Sequence, residues 1–163
     1  MMITSKMEQA FNSQIQKEFH SAYLYLAMSV YCETQNYSGF AHWLKVQYNE
    51  EQEHAMKMVA YLLERGGKVT LQTLEAPPVD YGSPLQVFEN VLKHEQFITS
   101  SIHSLYETAV AEKDLAAQIF LQWYVTEQVE EEANATQIVE QLKMIGDKSS
   151  GILYVDKALE KRQ

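Results

Sequence analysis

Residues 50–54 read Glu-Glu-Gln-Glu-His, and residues 127–131 read Glu-Gln-Val-Glu-Glu. The stretches lie 77 positions apart, and each places two ligand-type side chains three residues apart: Glu51 with His54, and Gln128 with Glu131. One glutamate precedes each pair at the same distance, since Glu18 lies 33 residues before Glu51 and Glu95 lies 33 residues before Gln128. Two similar helical hairpins, each offering one glutamate and then a pair, are what a two-fold dinuclear metal site requires.

Glycine and proline are sparse, so the chain outside these stretches consists of long uninterrupted segments. Gly66-Gly67 is a favourable helix C-terminus, and Ser83-Pro84 is typical of an N-cap followed by proline in the first turn. We predict helices from Thr4–Lys6 to Glu33–Thr34, from Ser38–Phe40 to Arg65, from Pro84 to Glu112, from the turn at Lys113-Asp114 to Gly146, and over 149–160.

The lengths of the connections predict the topology. Short links join helices one and two, and three and four, so each pair forms an antiparallel hairpin. The extended linker over 68–82 can span roughly 45 Å, which is enough to run the length of a 28-residue helix. We therefore predict an all-α, up-down-down-up four-helix bundle with one long crossover and a short fifth helix. Residues 1–163 form a single domain in this prediction, with the bundle at 4–146.

Each bundle helix carries a polar residue on its apolar stripe. Glu18, for example, lies in line with Phe11 and Tyr25, and Glu95 lies between Phe88 and Ile102. Buried carboxylates without a cation are unstable as anions. The charge of −4 on Glu18, Glu51, Glu95 and Glu131 would be balanced by two divalent ions, and carboxylates with one imidazole suit iron or manganese.

Composition, net charge and the pattern of apolar residues narrow the possible partners, the cysteine chemistry and the location of the protein. A net charge of −9 and a pI of about 5.0 argue against nucleic acid or an anionic membrane as a partner. Cys32 is the only cysteine, which excludes a disulfide framework. The chain starts without a signal-like apolar segment and lacks a run of roughly 18 to 20 apolar residues. We expect a cytoplasmic protein.

The chain resembles bacterial non-haem ferritins over essentially its whole length. The resemblance rests on four strings: residues 49–54 (Asn-Glu-Glu-Gln-Glu-His), 93–96 (Lys-His-Glu-Gln), 120–128 (Phe-Leu-Gln-Trp-Tyr-Val-Thr-Glu-Gln) and 151–157 (Gly-Ile-Leu-Tyr-Val-Asp-Lys). It implies a ferritin-like fold, iron storage and detoxification, and a homo-oligomeric hollow shell of 24 subunits in which oxidised iron mineralises.

The resemblance also implies a ferroxidase centre that uses O₂ or peroxide. One iron would be held by Glu18, Glu51 and His54, and the other by Glu51, Glu95 and Glu131, with Gln128 close by. A third iron site would use Glu50, Glu127 and Glu130, with Glu131 shared. Tyr25 and Trp123 match aromatic residues near the centre that are candidate electron donors.

A departure from one neighbouring family argues against haem, and two alternative functions remain open. Bacterioferritins have a haem-ligating methionine where Gln52 stands and a histidine where Glu131 stands, so we predict no haem. One alternative is a ferritin-like di-iron peroxide reductase or oxygenase without storage. The other is a non-catalytic helical scaffold whose buried acids are neutral or salt-bridged.

Overall fold

The computed structural model describes residues 2–163, which form five α-helices joined by turns and one long extended segment. The helices are α1 (Ser5–Thr34), α2 (Ser38–Glu64), α3 (Pro84–Ala111), α4 (Leu115–Ile145) and α5 (Ser149–Leu159). No β-strand occurs in the described residues. The all-α class is confirmed, and each helix ends within one residue of its predicted boundary.

Local sequence signals set the helix ends. Ser83 and Gln86 form a capping box, in which the Ser83 side chain accepts from the Gln86 N–H and the Gln86 side chain accepts from the Ser83 N–H. Pro84 follows in the first turn of α3, where its missing N–H costs nothing. At the end of α2, Gly66 has φ of +72°, a left-handed conformation that glycine adopts without steric penalty. The helix start and stop signals identified in the sequence therefore coincide with the start of α3 and the end of α2.

The crossover between α2 and α3 follows the length of α1. Near the start of α1, the Asn12 side-chain oxygen accepts a hydrogen bond from the Thr70 N–H at 2.7 Å. Near its end, the Tyr31 hydroxyl donates to the Gly82 carbonyl at 2.8 Å. The chain therefore returns to the end at which α2 began, so α2 and α3 are parallel. The predicted up-down-down-up bundle with one long crossover is confirmed.

The bundle interior is divided into two apolar clusters with a polar layer between them. The cluster at one end includes Phe40, Leu44, Phe88, Ile138 and Leu142. The cluster at the other end includes Phe11, Met58, Ile98, Ile102 and Leu121. Residues 18, 51, 54, 95, 128 and 131 fall between these clusters along their helices. Apolar packing on both sides therefore holds the polar layer at mid-length of the bundle.

Helix α5 packs against the start of α2. The buried Asp156 carboxylate accepts a hydrogen bond from the Phe40 N–H at 2.8 Å, which satisfies one of the free donors at the α2 N-terminus. Gly39 makes this approach possible, because a Cβ there would lie 1.6 Å from the Asp156 carbonyl oxygen.

Among residues 2–163, no helix is long and apolar enough to cross a bilayer.

Candidate metal centre

The predicted ligands come from all four bundle helices and gather in the polar layer. Each of the six residues is at most 6% exposed. They are Glu18 from α1, Glu51 and His54 from α2, Glu95 from α3, and Gln128 and Glu131 from α4. The glutamates of α1, α2 and α3, and both polar residues of α4, face inward because the residues seven positions before and after each of them belong to the apolar clusters.

Glu18, Glu51 and His54 form the first group whose ligand atoms converge. One atom from each of the three residues lies within 4.8 Å of the others. The His54 Nδ1 atom lies 3.4 Å from Glu51 Oε2, a separation that a shared cation could occupy. Two carboxylates and one imidazole form an oxygen-rich donor set that fits iron better than a structural zinc ion.

Glu95, on α3 of the second hairpin, accepts hydrogen bonds at both of its carboxylate oxygens. The Tyr25 hydroxyl donates to Glu95 Oε1, and Gln128 Nε2 donates to Glu95 Oε2 at 3.1 Å. The Gln128 amide also contacts the Thr99 hydroxyl at 3.2 Å. The structure therefore places Tyr25 and Gln128, both singled out from sequence, in direct contact with the same carboxylate.

Two buried glutamines that the sequence analysis did not single out contact the remaining carboxylates. Gln14 Nε2 donates to Glu18 Oε1 at 2.8 Å. Gln47 Nε2 donates to Glu51 Oε1 at 3.1 Å and to Glu131 Oε2 at 2.9 Å. Both glutamines stand four residues before a ligand-type glutamate, and that i,i+4 spacing is the signal that could have found them.

Burial makes all four carboxylates poor anions in the absence of a cation, and repulsion within the set adds to this effect for Glu18, Glu51 and Glu131. Burial, followed by repulsion from Glu51, raises the pKa of Glu18 to about 8. Burial, followed by repulsion from Glu95, raises the pKa of Glu131 to about 8. Burial and the charges of Glu95 and Glu131 raise the pKa of Glu51 well above its ordinary value. The site therefore holds protons at neutral pH, or cations that replace them.

A second group of candidate ligands adjoins the first. His54, Glu127 and Glu131 each place one ligand atom within 4.8 Å of the others. Glu50 instead forms an ion pair with Arg162, and Glu130 is exposed; neither belongs to either group within the described residues. Of the residues predicted for a third site, the structure thus brings Glu127 and Glu131 together, with His54 as an additional neighbour.

Two aromatic residues of α4 contact the polar layer at His54. The Trp123 ring contacts the His54 ring edge-on, with centroids 5.3 Å apart, and remains 38% exposed. The Tyr124 hydroxyl donates to the His54 carbonyl at 2.7 Å, which anchors the turn of α2 that carries the imidazole. Trp123 therefore connects the surface of the subunit to a candidate ligand.

Comparison with known proteins agrees with this arrangement. A family model described as the ferritin-like domain matches residues 8–145. The chain is similar to a bacterial non-heme ferritin of Bacteroides fragilis, with 45% identity over 99% of this chain and 100% of that protein. It is also similar to one of Campylobacter jejuni, with 40% identity over 98% of this chain and 95% of that protein.

A solved structure shows the same likeness. The open-pore ferritin of the hyperthermophilic archaeon Archaeoglobus fulgidus superposes with a TM-score of 0.98 at 50% identity and covers 100% of both chains. The match extends over the four bundle helices and α5 together. The protein belongs to the ferritin family, whose members bind iron. Family membership supports iron storage as its general function.

Proposed function

We propose that the protein oxidises Fe(II) at the buried centre within each subunit and stores the ferric product inside a hollow homo-oligomeric shell. The observation that carries this proposal is the convergence of four carboxylates with raised pKa values in a layer closed by apolar residues. Two divalent cations would balance their charge of −4, and Fe(II) suits the donor atoms.

The convergence of Glu18, Glu51 and His54 supports one of the two iron positions of a dinuclear arrangement. Glu18, Glu51 and His54 would bind one Fe(II), and Glu51, Glu95 and Glu131 would bind the other, so that Glu51 bridges the pair. Gln47 already contacts both Glu51 and Glu131, which supports the placement of these two carboxylates at one cation. Two metals roughly 3.5–4 Å apart can share the charge that develops on a small molecule bound between them.

The reaction balances as a two-electron step. Two Fe(II) ions each lose one electron, and O₂ with two protons becomes hydrogen peroxide; with peroxide as oxidant, H₂O₂ and two protons become two water molecules. This chain would hold both ferrous ions in one layer that excludes water. Both electrons would then pass to the same molecule of oxidant. Tyr25, whose hydroxyl donates to Glu95, would orient this carboxylate toward the second ferrous ion.

The ferric product would leave by way of the second group of ligands. Glu127 is grouped with His54 and Glu131, so a cation at Glu127 shares ligands with the dinuclear centre. Glu130, exposed on the same helix, and Glu50 extend this acidic route toward the surface. We propose that this surface faces the inside of a cytoplasmic shell, for which the resemblance implies 24 subunits.

Aerobic iron loading with particle size measured before and after tests the storage function. We expect a hollow assembly that takes up far more than two irons per chain and keeps its diameter. A monomer or dimer without mineral would refute storage. Uptake that stops at about two irons per chain would favour a di-iron peroxide reductase or oxygenase of the same fold.

Ligand variants test the oxidation centre. Anaerobic titration of the wild type should show about two tight Fe(II) sites per chain. His54→Ala and Glu18→Ala should each slow initial Fe(II) oxidation by roughly 10-fold or more, since each removes a ligand. The matched control is His103→Ala, which removes an exposed histidine outside the layer. Oxidation at the wild-type rate in both ligand variants would reject the assignment.

A further inference from the structure

Gln47 joins the two hairpins at the candidate centre. Its side chain is fully buried, and its amide nitrogen donates to Glu51 on α2 and to Glu131 on α4. These two hydrogen bonds use both protons of the amide group. Gln47 thus fixes the relative position of two carboxylates that come from different halves of the bundle.

The amide can do this in only one of its two orientations. If the Gln47 side chain were flipped, its carbonyl oxygen would face both carboxyl groups and would repel them in the ionised form that binds a cation. Arg162 prevents the flip, because its Nη2 atom lies 2.8 Å from Gln47 Oε1. A guanidinium group donates hydrogen bonds and cannot accept them, so only the carbonyl oxygen of Gln47 can face it.

Arg162 is itself held on α2 by several contacts. Its guanidinium stacks 4.2 Å above the Trp43 ring and donates to the Trp43 carbonyl at 3.3 Å. Its own carbonyl accepts from His42 Nε2 at 2.7 Å, and its side chain pairs with Glu50. This residue lies beyond the end of α5, so the tail of the chain reaches the polar layer through a defined docking site.

The same arrangement recurs at Glu18. Lys17 Nζ donates to Ser101 Oγ at 2.6 Å, and lysine likewise cannot accept. The Ser101 hydroxyl proton is therefore directed to Gln14 Oε1, also at 2.6 Å, which leaves the Gln14 amide nitrogen to donate to Glu18. Two independent cations thus orient two glutamines toward ligand-type glutamates, which indicates a shared positioning role.

We propose that Arg162 is a positioning residue for the dinuclear centre, acting through Gln47 on Glu51 and Glu131. The docked C-terminal tail thereby tunes the affinity of the centre for Fe(II). This inference rests on the proposed function, because it assumes that these carboxylates bind iron. Residues that orient metal ligands typically change metal affinity by about 10- to 100-fold when removed.

Anaerobic Fe(II) titration by calorimetry tests the proposal in a double-mutant cycle. Gln47→Leu should weaken Fe(II) binding by about 10-fold. Arg162→Met, which keeps an unbranched apolar stem but removes every donor, should weaken it several-fold, and Arg162→Lys should recover most of the affinity. If Arg162 acts through Gln47, the double variant Gln47→Leu/Arg162→Met binds no more weakly than Gln47→Leu alone.

Lys161→Met is the matched control, since it removes an exposed cation next to Arg162 and should leave the affinity unchanged. Assembly size and thermal midpoint, measured on every variant, separate a positioning effect from unfolding. Wild-type affinity in Arg162→Met would overturn the inference, as would losses that simply add in the double variant. Wild-type protein that binds no Fe(II) would instead overturn the proposed function, and the inference with it.

Discussion

Fe(II) binding should expel protons from the carboxyl groups of the centre, in a number set by their pKa values. Glu18 and Glu131 have pKa values raised to about 8 by burial and by their carboxylate neighbours. At pH 7 each group is then about 90% protonated, so displacement by metal releases roughly 1.8 protons from the two. With ordinary carboxyl pKa values near 4.3, the same two groups would release well under ~0.1 proton.

Calorimetric titration under argon in buffers of different ionisation enthalpy counts these protons directly. The release attributable to Glu18 and Glu131 should fall to roughly 0.2 at pH 9, where both groups are mostly ionised before metal arrives. Glu18→Gln is the internal control and should release about 0.9 proton fewer at pH 7. Release below ~0.5 proton per chain at pH 7, alongside tight Fe(II) binding, would refute the reasoning.

Three further predictions concern stability, docking and turnover. Since the folded protein holds the Glu18 proton more tightly than the unfolded chain, metal-free stability falls as pH rises from about 4.5 to about 8. Glu18→Gln should therefore stabilise the metal-free protein at pH 8, by at most about 5 kcal/mol in denaturant unfolding; a destabilised variant would contradict this. Gly39→Ala should force α5, with Asp156, away from the start of α2 and cost about 1–3 kcal/mol, seen as faster proteolysis after 146, whereas unchanged protection would count against it. Glu130→Ala should leave the first rapid Fe(II) oxidation intact but slow later turnover in stopped-flow measurements, and identical kinetics in both phases would remove Glu130 from the exit route.

Much of the fold followed from local signals in the sequence. Gly66-Gly67 and Ser83-Pro84 act at single helix ends, so their effect can be predicted without knowledge of the tertiary structure. The ligand positions could be predicted for a similar reason. A glutamate such as Glu18 in line with apolar residues must face the core, where an isolated charge is unfavourable.

The contacts of Gln47 and Arg162 could not be predicted in the same way. Gln47 has no counterpart at the 77-residue offset, where Tyr124 stands, so the internal repeat did not reveal it. Arg162 lies 115 residues from Gln47 in an irregular tail, and its position depends on how α5 docks through Asp156. Long-range contacts of this kind depend on tertiary packing, which residue spacing along one helix does not encode.

The central claim is that the buried carboxylates are stable because paired ferrous ions balance them. Crystals soaked in ferrous salt without oxygen, with anomalous diffraction recorded on both sides of the iron absorption edge, test it most directly. We expect two iron peaks per subunit, one beside His54 and one beside Glu95, with Glu51 between them. A well-ordered layer without iron peaks, in crystals that bind iron elsewhere, would contradict it.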